Sequence, residues 1–161
     1  MFATFRKVAR TSLTALAVSA LGAACLVTTG ATPAYAHSQQ GAIRAACGPN
    51  YSLLEGGLSE VKTEAGEVWG EVMLTYNATK DKFCVVTRKI AFHGEPTRVI
   101  AGIFHESEGV VVTDRAKVSH QASVKLPAGG ECAKYYGYVF DPGGTSAFGG
   151  GANHTIPYIC P

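Results

Sequence analysis

Four cysteines, Cys47, Cys84, Cys132 and Cys160, are the residues of this chain most plainly disposed to react. In an oxidising compartment an even set of thiols pairs into disulfides, and these four lack the close couples that a structural zinc site uses. Three pairings are open. Cys47–Cys84 with Cys132–Cys160 is preferred because it staples each half of the domain locally, each bridge contributing roughly 2–4 kcal/mol by restricting the unfolded chain. Oxidised cysteines are not nucleophiles, so any catalysis falls to other side chains.

Those side chains do not compose a site by spacing. His93, His105 and His120, with Glu106 nearby, are of the types that ligate a catalytic zinc ion, but no i, i+4 or His-x-His spacing aligns them. Ser107, His105 and Asp114 supply the types of a hydrolytic triad, yet nothing resembles a nucleophile elbow. Glu67, Glu71, Glu106 and Glu108 offer paired carboxylates for glycoside chemistry; Glu67 and Glu71 share one face of a strand and read as its solvated side. The run from Gly143 to Gly151 lacks the Gly-Lys-Ser/Thr ending and following helix of a phosphate cradle, and reads as a flexible connector. The reading is of a non-enzyme with no metal and no cofactor. The best binding candidates are aromatic: Trp69, Tyr136 and Tyr138. On a strand Tyr136 and Tyr138 point to one face and Tyr135 to the other. An exposed aromatic pair stacks on the sugar rings of a cell-wall polymer or meets a protein surface; the competing role is to cover the core.

The elements that must carry these residues begin after an export signal over residues 1–36. Arg6, Lys7 and Arg10 precede an apolar run from Leu13 to Val27, and Ala34-Tyr35-Ala36 supplies small residues at a cleavage site. Gly22-Ala23-Ala24-Cys25 partly resembles a lipoprotein box, but glycine stands where a bulky aliphatic residue belongs. The run is short for a membrane span and no second one follows, so no integral segment is expected after cleavage. Loss of the three basic residues takes the formal charge from +2 to about −1. Such a balance argues against nucleic acid, which demands concentrated Lys and Arg, and against docking on anionic lipid.

Residues 37–46 read as a flexible polar leader, and 47–161 as a single secreted β domain. Tyr51–Leu54 suggests a short first strand closed by Gly56-Gly57. Alternation over Glu67–Tyr76 and Phe83–Phe92 about a polar turn predicts a hairpin. Further strands are expected at Arg98–His105, Val110–Thr113, Val118–Leu126 and Cys132–Phe140, with a last segment at Thr155–Cys160. The fold expected is all-β, a small antiparallel sandwich or barrel of about 6–8 short strands with two disulfides.

Ala46-Cys47-Gly48-Pro49-Asn50-Tyr51-Ser52, Val72-Met73-Leu74-Thr75-Tyr76-Asn77-Ala78, Cys84-Val85-Val86-Thr87 and Gly130-Glu131-Cys132 leading to Tyr136-Gly137-Tyr138 together resemble the spore-associated protein A family of secreted actinobacterial proteins. The resemblance covers most of the chain after residue 36 and all four of its cysteines. It implies a small secreted protein found on spores or aerial hyphae, and carries over no catalytic or ligand-binding residue. The function expected is therefore a structural or binding role at the spore or cell surface, with cell-wall polymer or surface proteins as partners. The alternatives are a secreted inhibitor of a protease or other hydrolase, or a small secreted enzyme.

Overall fold

The computed structural model describes residues 38–105, 111–150 and 158–161. The export signal expected over residues 1–36, and Glu106, Ser107 and Glu108, lie outside the described residues. Eight strands follow one short helix: α1 (Gln39–Cys47), β1 (Ser52–Lys62), β2 (Val68–Asn77), β3 (Lys82–Lys89), β4 (Thr97–His105), β5 (Val111–Val118), β6 (Gln121–Pro127), β7 (Ala133–Phe140) and β8 (Ser146–Gly150). They form one antiparallel sheet in the order β5-β4-β7-β8-β1-β2-β3-β6. The sheet curls into a nearly closed barrel, which decides between the two expected architectures. Across the seam between the outermost strands, Asp114 Oδ2 accepts a hydrogen bond from the Ser123 amide at 3.2 Å.

Inward-facing Val61, Val72, Leu74, Phe83, Val85, Val99, Ile103, Tyr135 and Val139 fill the interior and are fully buried. An eight-stranded barrel is just wide enough for side chains to occupy its axis. The β2–β3 hairpin is apolar on both faces, Met73, Cys84 and Val86 pointing outward. Their cover is α1, whose Ala42, Ile43 and Cys47 complete a second core with Tyr51. Residues buried on both sides explain the unbroken apolar runs that blur strict alternation there.

Three expectations are corrected. Residues 39–46 are not a flexible leader but most of α1, with Ser38 Oγ accepting from the Gly41 amide at 3.0 Å as its N-cap. So short a helix is marginal by propensity; burial of Ala42 and Ile43 and the bridge from Cys47 hold it. The first strand does not stop at Gly56-Gly57 but runs through them to Lys62, its register shifting between Leu53 and Leu58. A β-carbon on Gly57 would stand 2.6 Å from the Leu74 carbonyl oxygen, so this irregular crossing needs glycine. The glycine-rich run is not a connector throughout, since Ser146–Gly150 pairs with β7 over its whole length.

Both preferred disulfides are present. Cys47–Cys84 ties α1 to β3, and Cys132–Cys160 ties the start of β7 to the residue after Ile159, itself bridged to Ala133.

Candidate functional site

The outer face of β4, β7 and β8 carries a row of rings. Strand alternation puts Tyr136, Tyr138 and Phe140 on one side of β7, and β8 adds Phe148 while β4 adds Phe104. Ring centroids stand 6.0 Å apart for Tyr136–Tyr138, 6.2 Å for Tyr138–Phe140, 4.9 Å for Tyr138–Phe148 and 5.4 Å for Phe104–Tyr136. Tyr136 pairs across the ladder with Gly102 and is only 8 % exposed. Its ring occupies the space a side chain at 102 would need, because a β-carbon there would fall 2.1 Å from Tyr136 Cζ. Tyr136 is thus the bedded floor of the row, while Tyr138, Phe140, Phe148 and Phe104 are half-buried and present their rings outward.

Tyr135, on the other side of β7, lies in the barrel with its hydroxyl donating to the Gly56 carbonyl at 2.9 Å. Burial pushes its pKa up to about 12. Trp69 is not part of the row. Its indole packs edge-on against Phe92 at 5.0 Å and donates to Glu67 at 3.3 Å, so the residues proposed as a binding face separate into two places. Phe148 and Phe104 join instead, on strands that the sheet order sets beside β7.

Cations border the row. The Arg98 guanidinium carbon lies 4.4 Å from the centre of the Phe140 ring, a cation–π distance, and Arg98 stands opposite Lys117 in the β4–β5 register. Between them and Pro142 opens a cleft of about 290 Å³, with Asp141 on its rim. At the other end of β7 the Lys134 ammonium sits 4.5 Å from the Tyr158 ring centre.

The catalytic candidates stand apart. His93 Nε2 and His120 Nδ1 meet at 3.0 Å, whereas His105 is buried elsewhere with Nδ1 3.1 Å from Glu131 Oε2 and Nε2 without a hydrogen-bond partner among the described residues. Among the described residues no group of three or more His, Cys, Asp or Glu side chains is placed to hold a metal ion. Asp114 faces the seam, where it accepts from the Ser123 amide. Glu71 binds Arg88 at 2.8 Å and Gln39 at 3.1 Å, tying α1 to the hairpin, while Glu67 serves the Trp69 indole.

One functional-looking group was missed in the sequence. Lys89 is 2 % exposed, and its ammonium donates to Thr97 Oγ1 and the Val118 carbonyl, each at 2.9 Å, and to the Glu95 carbonyl. Desolvation lowers its pKa, with the Glu95 charge opposing. Continuing the inward series Phe83, Val85, Thr87 to position 89 is the signal that places it inside.

No helix among the described residues is long and apolar enough to cross a membrane. Comparison with family models, curated proteins and solved structures finds no match to this chain.

Proposed function

We propose that this is a secreted, non-enzymatic protein of the spore or cell surface that holds a cell-wall polysaccharide on the aromatic face of its barrel. The observation that carries the reading is the row Tyr138, Phe140 and Phe148 standing half-exposed on a bedded Tyr136. Rings presented in series on a rigid sheet offer apolar faces to successive sugars without an ordering cost, since the strands already fix them. The two disulfides suit an oxidising compartment, and the export-type leader and the family resemblance agree with a surface location.

The reading is tested by partitioning the protein among culture supernatant, salt wash and detergent wash of intact cells and spores, and by sedimentation with purified insoluble wall. Retention that Tyr138→Ala and Phe148→Ala both reduce is the expected result. Recovery almost wholly in the supernatant, with no sedimentation, refutes it.

A further inference from the structure

We infer that the polymer held on this face is acidic: its carboxylate or phosphate groups pair with Arg98 and Lys117, while its sugar rings lie on Phe140 and Tyr138. This rests on the aromatic-face reading and adds the charge of the ligand to it.

The distribution of charge carries the inference. After the leader the chain is close to neutral, yet β4, β5 and β7 hold Arg98, Arg115, Lys117 and Lys134 against a single carboxylate, Asp114. That carboxylate is turned to the Ser123 amide across the seam. Arg98 lies opposite Lys117, and Arg115 opposite Ile100, so the three cations share the outer face with the rings. Like charges directly opposite each other in a ladder are unfavourable. Among the described residues none of the three has a carboxylate at ion-pair distance, and Arg98 has the Phe140 ring as its neighbour. Asp141 shares the cleft, but its Oδ1 accepts from the Thr145 amide at 2.7 Å and holds that turn.

An external anion completes this arrangement. Arg98 already rests over the Phe140 ring, so its guanidinium is placed at the cleft before a ligand arrives. The cleft, at about 290 Å³, is at the small end of ligand pockets and suits one charged unit of a longer chain. Tyr138 and Phe140, 6.2 Å apart, continue the track for the neighbouring units. Single-stranded nucleic acid also combines stacking with anion pairing, but it needs a cationic groove that follows the backbone along the whole track. Beside Tyr136 and Tyr138 the β4 partners are Gly102 and Ile100, which carry no charge.

The test titrates protein from the full expressed chain with polygalacturonate, phosphomannan, dextran and oligo(dT) by calorimetry. The expected result is binding of one or both acidic polymers, the preference between them telling carboxylate from phosphate, with affinity falling as salt rises. Arg98→Gln and Lys117→Gln, both at exposed positions, should each weaken it about tenfold at an unchanged melting temperature. Tyr138→Ala should weaken every polymer the parent binds. Dextran bound as tightly as the acidic polymers, with both Gln variants like the parent, overturns the inference and leaves the aromatic platform standing. Indifference to Tyr138→Ala, or binding to none of the four, removes the platform and the inference together. Oligo(dT) bound more tightly than either acidic polymer overturns it in favour of nucleic acid.

Discussion

Replacing Lys89 with methionine isolates what a buried ammonium does for a barrel end. Methionine keeps the length of the stem, so the change leaves the interior volume nearly as it was and removes only the donors. Three acceptors, on Glu95, Thr97 and Val118, then lose their shared partner in a site that is 2 % exposed. Hydrogen bonds to a charged group contribute about 1.5–3 kcal/mol each, but removing the ammonium also relieves its desolvation, which costs several kcal/mol. The balance is a net loss of about 3 kcal/mol. With a urea slope of about 1.5 kcal/mol/M, the unfolding midpoint should fall by about 2 M. The pH dependence supplies a second reading. Burial lowers the folded pKa, so the unfolded chain holds this proton more firmly than the folded one. The ionised side chain's penalty is present below the folded pKa and fades as pH rises toward the ordinary lysine value. Over that window the parent should gain stability relative to Lys89→Met. A variant as stable as the parent at pH 7, with a parallel pH profile, would refute the reasoning and show that the acceptors find other donors.

Two further outcomes follow from the same interior. Tyr135 has a folded pKa of about 12 against about 10 for an unfolded tyrosine, so its contribution is fully present below pH 10 and lost as pH rises to 12. That loss is about 3 kcal/mol; Tyr135→Phe should unfold more readily at pH 7 for want of its bond to Gly56, yet show a shallower alkaline decline in circular dichroism melts. The bridge Cys47–Cys84 spans 37 positions and Cys132–Cys160 spans 28, so chain entropy assigns them about 3.8 and 3.6 kcal/mol. The double variant Cys47→Ala/Cys84→Ala should in addition release α1, seen as faster amide exchange in 42–47 than in β7; equal exchange in both would refute a local role for the bridge.

What was legible in the sequence was the hairpin and the strands whose side chains alternate in size and polarity. Val72 and Leu74 against Glu71 report their two faces because each face meets a different medium. The disulfide pairing was legible too, since local closure and the sheet order agree. Glycine reports nothing of this kind: in Ser146–Gly150 only Ser146, Ala147 and Phe148 have side chains, too short a run to show a period, so a strand looked like a connector. The helix was hidden because its stability comes from tertiary burial of Ala42 and Ile43 rather than from its own residues. The aromatic face was half legible. Tyr136 and Tyr138 share a strand and so had to coincide, but Trp69 belongs to β2, which the strand order separates from β7 by β8 and β1. Neighbours in a sheet are set by long-range pairing, and no local pattern in Trp69 or Phe148 encodes it.

The seam where Asp114 reaches the Ser123 amide has a consequence for how the molecule behaves among its own copies. A barrel joined by a full ladder has no edge to offer, whereas this one has two edge strands, β5 and β6, lying against each other. While the carboxylate holds them together, each blocks the strand that a second chain would add. If the seam opens, both present unpaired amides and carbonyls at once, and the same residues that close one barrel become the template for joining many. A single carboxylate on β5 thus stands where two strand edges meet, and its loss would weaken the closure that keeps both covered.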